Sequence, residues 1–207
     1  MPDSGTDTIV LYGSTQSGHS YKPRLYMLLA GIEHDYQHID IFTPHGERPE
    51  AFRKVAAFGE VPVLVHNGQV MAQSNAILLH LMRHFGKFSG SSETQLDEIT
   101  TWLFWEANRI GRSYPNHRYF HKFATCDAGL LNWFDQTVRA DLDRLNDELS
   151  EKEFLLGEFT AADIYCAAYL LYDDNPAIKI SEWSNVQHWL NRVKALSGWK
   201  YPAEALA

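Results

Sequence analysis

The residue types best suited to chemistry stand together in the segment SGHSYKPR, residues 17–24. Ser17, His19 and Ser20 lie at or just before a predicted helix start, which Pro23 fixes near 19–21 because proline belongs in a first turn. A helix start carries roughly half a positive charge and has unpaired N–H groups, so it favours an anion. A hydroxyl can donate to that anion, and an imidazole can act as a cation or a base. The segment therefore predicts a site for an anionic group such as a thiolate.

A second helix start follows in the segment VPVLVHNGQVMAQSNAI, residues 61–77. Asn67-Gly68 predicts a two-residue hairpin turn, since a type I′ turn needs positive φ at both positions. Ser74 falls where an N-cap is expected, just before an apolar run. The Val61-Pro62 pair lies close by in sequence and restricts Val61 to extended backbone. Because a helix start offers free amides, this one predicts a carboxylate site.

Length and composition narrow the class of protein. The 207 residues allow one large domain or two small ones, and a hydrophobic content of 45% supports a packed core. A net charge of −8 argues against a nucleic-acid partner. The opening MPDSGTDT lacks a signal-peptide pattern, and no apolar run reaches the ~20 residues of a membrane span. We therefore expect a cytoplasmic protein without a membrane partner, in which Cys126 and Cys166 are helical, buried thiols rather than a disulfide.

Residues 1–86 show the element order β-α-β-α-β-β-α after a loose tail at 1–7. The first strand is expected over 8–12 and the second over 36–41. These two strands should be parallel because a helix connects them, whereas the last two form an antiparallel hairpin. This order is that of a thioredoxin-like α/β domain.

The rest of the chain predicts a second, all-α domain. Residues 87–92 are rich in glycine and serine and are expected to form a linker. Residues 93–207 show only helical patterns, beginning with an aromatic amphipathic helix over 93–112 that Gly111 should bend or end. Thr160-Ala-Ala-Asp163 is a capping-box pattern that opens a later apolar helix.

The two-part order and the segment at 61–77 resemble the cytosolic glutathione transferases over nearly the whole chain. The resemblance implies a thioredoxin-like glutathione-binding domain, a helical domain, and reduced glutathione as co-substrate. It implies that the peptide bond before Pro62 is cis and that Val61 pairs with the cysteinyl backbone of glutathione. Gln73 and Ser74 would then hold the γ-glutamyl group.

The region expected to bind the glycyl carboxylate departs from the family pattern. The resemblance implies a role for His45, after the second strand, and for Lys54, in a short helix. Glu60 stands where many relatives have glutamine or lysine. An acid at this point repels a carboxylate unless a basic neighbour compensates.

The resemblance also suggests which residue activates the thiol. Against the zeta-class pattern SSCSWRVR, Ser17 aligns with the catalytic serine and His19 with the cysteine. His19 also falls on the cysteine of the beta class. The resemblance thus implies a bacterial, theta/zeta-like serine type, with Ser17 and His19 as the catalytic residues. Two simpler interpretations stay open: Ser17 as a polar loop residue beside a Ser20 cap, and His19 as an exposed histidine.

Aromatic and basic residues cluster in the first helices of the second domain. The resemblance places the electrophile pocket there, between the two domains. Aromatic walls with two arginines suit an aromatic or anionic substrate, whereas the alternative is a helix-bundle core with a solvated basic rim. The predicted pocket residues are Phe104, Asn108, Arg109, Arg112 and Tyr114.

Two histidine pairs stand at helical i, i+4 spacing, His80 with His84 and His117 with His121. One helix face could present both rings of a pair to a metal. No third ligand is apparent in the sequence near either pair, so no metal site is expected.

The leading hypothesis is a homodimeric glutathione transferase of detoxification type that conjugates the glutathione thiolate to a hydrophobic or aromatic electrophile. One alternative is a glutathione-dependent thiol-disulfide or peroxide reductase, which would need glutathione itself as the redox thiol. Another is a non-catalytic partner-binding protein on the same fold, an interpretation that Glu60 and His19 keep open.

Overall fold

The structure is a computed structural model that describes residues 7–207, so residues 1–6 of the predicted tail lie outside the described part. Its strands are β1 (Ile9–Gly13), β2 (Asp35–His38), β3 (Val63–His66) and β4 (Gln69–Ala72). They form one sheet in the order β2-β1-β3-β4, in which β1 is parallel to β2 and the other pairs are antiparallel. The predicted thioredoxin-like sheet is confirmed.

The helices follow the predicted order, with two between the strands and the rest after them. Helices α1 and α3 pack against each other, while α2 packs through Phe52 in a smaller cluster with Ile39 and Val63 of the sheet region. The predicted helical second half is therefore confirmed. The helices are α1 (Gly18–Ala30), α2 (Glu50–Val55), α3 (Ser74–Phe85), α4 (Glu93–Asn108), α5 (Ile110–Lys122), α6 (Ala128–Glu148), α7 (Ala161–Ala167), α8 (Ser184–Lys194) and α9 (Pro202–Ala205).

The hairpin between β3 and β4 forms as predicted. Asn67 and Gly68 have φ of 50° and 80°, the positive values that a type I′ turn needs. His66 and Gln69 are the last paired residues on either side of the turn. This register places His66 at the end of β3 that is farthest from Pro62.

Helix α1 begins earlier than the sequence predicts. The Ser20 amide donates to the Ser17 hydroxyl oxygen at 3.2 Å, so Ser17 is the N-cap, and the alternative with Ser20 as cap is wrong. Gly18 is the first helical residue, which makes Pro23 the sixth and its predicted place in the first turn wrong. Pro23 is buried, so tertiary packing compensates for the backbone hydrogen bond that a proline removes. Gly31 ends the helix with φ of 67°, as predicted.

Helix α3 begins at a strained residue rather than at a capping serine. Gln73 occupies the N-cap position with φ of 69°, and Ser74 is the first helical residue, so the prediction of Ser74 as N-cap is wrong. Its hydroxyl instead donates to Asn75 Oδ1 at 3.4 Å. Positive φ is unfavourable for a residue with a Cβ, and such strain tends to collect at functional sites. In the described chain no side chain caps this helix start, so its first amides are free for a ligand.

The predicted long helix at the start of the second half is two helices. The chain breaks at Arg109, with φ of −121° and ψ of −105°, and α5 then continues through Gly111 and Pro115. Gly111 has a packing role, because a Cβ there would lie 1.7 Å from Glu106 Oε1. The break changes the direction of the chain at Arg109, and residues of both helices line the cavity described below.

The capping box at the start of α7 is confirmed. The Thr160 hydroxyl oxygen accepts from Ala162 N at 3.3 Å, and the Thr160 amide donates to Asp163 Oδ2 at 2.9 Å. Asp163 Oδ1 accepts from Leu155 N at 3.0 Å and from the Trp189 indole at 2.9 Å. One buried carboxylate thus connects α7, α8 and the segment that precedes α7.

The largest core cluster contains side chains from both halves of the chain. Helix α1 contributes Tyr21 and Tyr26, whose hydroxyls donate to Lys200 O at 2.5 Å and Lys87 O at 2.8 Å. Arg24 Nε donates to Ala205 O at 2.8 Å. The helix nearest the candidate site is therefore held in place by residues of the helical half.

Cys166 is a buried free thiol and Cys126 a partly buried one, so the expectation of no disulfide is confirmed. Cys126 lies in the connection between α5 and α6, not in a helix as expected. Burial raises the pKa of the Cys166 thiol well above its usual value. Among the described helices, none is both long and apolar enough to span a bilayer.

Candidate functional site

A cavity of about 870 Å³ lies between the N-terminal half and helices α4 and α5. The start of α1, the segment at 58–62 and the start of α3 form one wall, and the two helices form the other. Eight of the predicted site residues line this cavity. They are Ser17, His19, Val61, Pro62, Gln73, Ser74, Phe104 and Arg112.

Lys54 and His45, the residues expected at the glycyl carboxylate, lie outside the cavity wall. Lys54 points to solvent and pairs with Glu50 at 2.8 Å, because the two stand one helical turn apart. The His45 ring packs instead near Phe52 and against Gly59.

Three predicted pocket residues also lie outside the wall, for reasons of helix packing. Arg109 turns to α6 and donates to Asp141 Oδ1 at 2.8 Å. The Asn108 amide folds back onto Phe104 O at 2.9 Å. Tyr114 is 1% exposed and belongs to the core. The helix break at Arg109 rotates these side chains away from the cavity.

Ser17 combines two roles in its geometry. Its oxygen accepts the helix hydrogen bond from Ser20, and the side chain lines the cavity next to Tyr169. The Tyr169 ring lies over this turn, and a Cβ at Gly18 would come within 2.5 Å of it, so glycine is required there. Burial raises the pKa of Tyr169 to about 12, against hydrogen bonds from the His19 backbone and Ser17. Tyr169 is therefore a neutral hydroxyl beside Ser17.

His19 is a neutral imidazole in this site. Burial, together with the charge of Lys22, lowers its pKa to about 3. Its Nδ1 lies 3.3 Å from Lys22 Nζ, and its ring meets Tyr169 edge-on at a centroid distance of 5.0 Å. The neutral ring accepts from the lysine, so the expected role of His19 as a cation does not fit this geometry.

We expect the His19 imidazole to make folding stability depend on pH. Its pKa lies below the unfolded value of 6.5, so the unfolded chain binds the extra proton between pH 6.5 and about 3. The contribution is complete above pH 6.5 and is lost as the pH falls through that window. Replacing His19 by glutamine should make the free energy of unfolding, measured by urea titration, depend less on pH between 6.5 and about 3. An unchanged slope in the variant would contradict the assignment.

The floor of the cavity carries an ion pair that sequence reasoning missed. Lys22 and Glu106 are each 1% exposed, and Lys22 Nζ lies 2.7 Å from Glu106 Oε1. Asn75 connects to both, accepting from Lys22 Nζ at 3.1 Å and donating to Glu106 Oε2 at 2.9 Å. The two charged residues are 84 positions apart and lie in different halves, so no local signal in the sequence pairs them.

The start of α3 brings an acid and an amide together. Gln73 Nε2 donates to Glu60 Oε2 at 3.3 Å, so Glu60 faces the helix start. Arg48 lines the same region and donates to the carbonyls of Gly59, Ile41 and Thr43 at 2.8–2.9 Å. Arg48 was not predicted, and it is the cavity-lining cation nearest in sequence to Glu60.

The peptide bond between Val61 and Pro62 is cis, as the resemblance implies. Among residues 7–207 the Val61 N–H and C=O make no hydrogen bond. Both residues lie in the cavity wall. The Val61 backbone is therefore available to an extended ligand.

Exposed aromatic rings form the outer rim of the cavity. Phe42, Phe58, Phe104, Tyr119 and Phe123 are all exposed, although large apolar side chains are usually buried. The Phe42 and Phe123 rings come from different halves and meet at a centroid distance of 5.4 Å. Only Phe104 was predicted, since the others lie in loops or at the end of α5.

A buried arginine closes the cavity beside Ser17. Arg118 Nε donates to Asp174 Oδ1 at 2.5 Å, and its Nη2 donates to Gln16 Oε1 at 3.1 Å. Its guanidinium also lies over the Tyr172 ring at 4.8 Å. Because Asp174 neutralises it, Arg118 holds the loop before Ser17 rather than offering a free charge.

Comparison with known proteins agrees with this geometry. Residues 16–84, from the start of α1 to the end of α3, match the family model for the N-terminal domain of glutathione S-transferases. A solved glutathione S-transferase from Pseudomonas fluorescens is 25% identical and superposes with a TM-score of 0.82, over 94% of this chain and 98% of its own. Residues 16–84 are thus similar in sequence to the N-terminal domain of glutathione S-transferases, and the whole chain is similar in fold to a solved glutathione S-transferase.

Two further proteins are similar over most of the chain. A glutathione S-transferase domain-containing protein of Dictyostelium discoideum is 25% identical over 198 residues, 88% of this chain and 76% of that protein. Ure2p, solved in complex with glutathione, shares the fold at a TM-score of 0.83 with 18% identity, over 99% of this chain and 95% of its own. A protein of this fold has thus been solved with glutathione bound.

Proposed function

We propose that the protein binds reduced glutathione in the cavity and adds its thiolate to an apolar or aromatic electrophile. The observation that carries the proposal is the position of Ser17, whose hydroxyl oxygen caps α1 and which lines the cavity, where its O–H can donate to a bound sulfur. A free thiol has a pKa of ~8.5, so only about 3% is thiolate at pH 7. A helix start and one donated hydrogen bond favour the charged form and lower that pKa.

The reaction needs few protein groups. The bound thiol loses its proton to solvent, and Ser17 donates to the resulting sulfur anion. The sulfur then forms a bond to an electrophilic carbon, and a leaving group departs with the electrons of its broken bond. In an addition, a π bond of that carbon breaks instead, and its electrons move to the conjugated group, which takes a proton from solvent. Neutral His19 accepts from Lys22 and shapes the wall beside the sulfur, so Ser17 is the group we assign to the thiolate.

We assign the γ-glutamyl group of glutathione to the start of α3. The free amides of Ser74 and its neighbours suit the α-carboxylate. Gln73 and Glu60 lie together, and the Glu60 carboxylate offers the partner for the α-amino group that Gln73 lacks. The free backbone of Val61 suits the cysteinyl peptide unit, and Arg48 is the cation on the side assigned to the glycyl carboxylate.

The exposed aromatic rim is assigned to the electrophile. Its rings offer an apolar surface next to the sulfur position, and Arg112 adds a positive charge at the same wall. Such a surface accepts flat apolar molecules and favours those with an anionic group. Homodimer formation and a cytoplasmic location belong to the same proposal and derive from the family resemblance; sedimentation analysis tests the former.

The proposal is tested by the ionisation of bound glutathione. Thiolate absorbance of the complex, followed against pH, should give a thiol pKa about one to two units higher in Ser17→Ala than in the unmodified protein. Ser17→Thr keeps the hydroxyl and should stay close to the unmodified value. A second variant, Ser74→Ala, should weaken calorimetric binding of glutathione about tenfold.

Two outcomes would overturn the proposal. No binding at millimolar glutathione would favour a non-catalytic partner-binding protein on this fold. Normal binding with the same thiol pKa in Ser17→Ala would remove Ser17 from the chemistry.

A further inference from the structure

We propose that Asp7, His66 and His84 form a site for a divalent transition metal, with Zn²⁺ as the best fit. The three residues come from the segment before β1, the end of β3 and the last turn of α3. One ligand atom from each lies within 4.8 Å of the other two. Imidazole nitrogen and carboxylate oxygen are the donors that Zn²⁺, Ni²⁺ and Cu²⁺ accept in proteins.

The distances between the donor atoms match what a small ion needs. Asp7 Oδ1 lies 3.2 Å from His66 Nε2, and Asp7 Oδ2 lies 3.1 Å from His84 Nε2. Ligands about 2.0–2.1 Å from a tetrahedral Zn²⁺ are separated by roughly 3.3–3.4 Å. The two carboxylate–imidazole separations are therefore within a few tenths of an ångström of those in a tetrahedral site, and the two imidazole nitrogens lie within 4.8 Å of each other.

His66 supplies a second, independent observation. The residue is 3% exposed, and its buried Nε2 makes no hydrogen bond of normal geometry, although Asp7 Oδ1 lies 3.2 Å away. Buried polar atoms are nearly always paired, so an unpaired one aimed at a carboxylate and another imidazole calls for a ligand. A cation between these groups satisfies all of them at once.

The hydrogen bond between His66 and His80 can fix the tautomer of His66 that binds a metal. His66 Nδ1 and His80 Nε2 lie 2.8 Å apart. When Nδ1 carries the proton and donates it to His80, the lone pair of His66 Nε2 points to Asp7. Metal-bound histidines usually donate their other N–H in this way, which fixes the tautomer and the ring.

Asp7 is held by the hairpin. Asn67 Nδ2 donates to Asp7 Oδ1 at 2.8 Å, and the Asn67 side-chain oxygen accepts from Thr8 N at 2.9 Å. The turn that ends β3 thus positions both His66 and the carboxylate. His80 and His84 share one face of α3, where His84 meets its two further ligands, from the hairpin and from the segment before β1, and His80 contacts His66.

The site is open on one side and separate from the cavity. The His84 side chain is 41% exposed, so an ion can enter and keep a water as fourth ligand. Ser74 and His84 stand at opposite ends of α3, about 15 Å apart at 1.5 Å per residue. An ion here would tie the start of the sheet to α3, without touching the residues assigned to glutathione.

The alternative is a metal-free network of histidines and Asp7. In that case His66 Nε2–H would face Asp7 and His80 would donate to His66 Nδ1. This network predicts no stoichiometric metal, so zinc titration separates the two possibilities.

The test uses the full chain without a histidine tag, stripped with a chelator and titrated with Zn²⁺ in a calorimeter. We expect one equivalent to bind, and affinity to fall at least about tenfold in His84→Ala and in Asp7→Asn. His188→Ala removes an exposed histidine elsewhere and should change nothing. Co²⁺ in place of Zn²⁺ should give the intense visible absorption of a four-coordinate site, and His84→Ala should abolish it.

His80→Ala is a further variant, because it leaves the ligands in place and should weaken zinc about 10–100-fold. No stoichiometric binding, or equal binding in all variants, would overturn the proposal. Binding lost in His121→Ala and kept in His84→Ala would also overturn it, since the ion would then sit at the other histidine pair. Glutathione binding should be unchanged in His84→Ala whatever the zinc result.

Discussion

Replacing Asp163 by alanine is expected to lower the free energy of unfolding by about 3–5 kcal/mol. Its carboxylate accepts hydrogen bonds from Leu155 N, Thr160 N and the Trp189 indole, all in a fully buried setting. Each buried donor left without an acceptor costs about 1–3 kcal/mol. Burial raises the pKa of Asp163 to about 6, so the group is still a carboxylate at neutral pH.

Urea unfolding at neutral pH measures this loss, and Asp127→Ala is the matched control. Asp127 also caps a helix, since its carboxylate accepts from Gly129 N at 2.7 Å and Leu130 N at 3.3 Å, but it is exposed. Its removal should cost only about 1 kcal/mol. Equal losses in the two variants would mean that Asp163 acts as a simple cap and not as a junction of three segments.

Replacing Glu106 by alanine should lower the free energy of unfolding by a similar amount, because it breaks a buried ion pair. Glu106→Ala leaves Lys22 as a buried cation without its partner, and breaking such a pair typically costs about 3–5 kcal/mol. Asn75 and the neutral His19 lie within reach of Lys22 but carry no negative charge. The free energy of unfolding, measured by urea titration, should therefore fall by about 3–5 kcal/mol.

A double variant separates the ion pair from simple packing. Lys22→Met with Glu106→Leu replaces both charges by side chains of similar size, and should recover most of the lost stability. Glu50→Ala removes the acid of an exposed pair with Lys54 and should leave stability unchanged. A double variant as unstable as Glu106→Ala would show that the cavity floor depends on shape and not on charge.

Much of the fold could be predicted because its signals are local. Asn67-Gly68 specifies its turn by backbone chemistry alone, and the capping box at 160–163 needs only four residues. The predicted helix boundaries were wrong where tertiary packing determines the first residue of the helix. Ser17 and Ser20 are equally good caps in sequence, and Pro23 argued for the later start, yet the buried setting of α1 favours Ser17.

The site was only partly predictable, since much of it forms between distant segments. Ser17 and Ser74 could be found because each marks a helix start. Lys22 and Glu106 resemble ordinary surface charges until α1 and α4 pack together. Arg109 was misplaced because the break between α4 and α5 rotates it towards Asp141, and no pattern in the sequence indicates that rotation.

The hydrogen bond from Tyr21 to Lys200 joins residues 179 positions apart. Helix α1 leaves the ribosome long before residue 200 is synthesised, and domains generally fold from the N-terminal end as the chain emerges. The sheet and hairpin can form early, but the helix that carries Ser17 lacks its final contacts until that late segment arrives. In a nascent chain the cavity wall that carries Ser17 is therefore incomplete, and this wall is among the last parts of the molecule to be assembled.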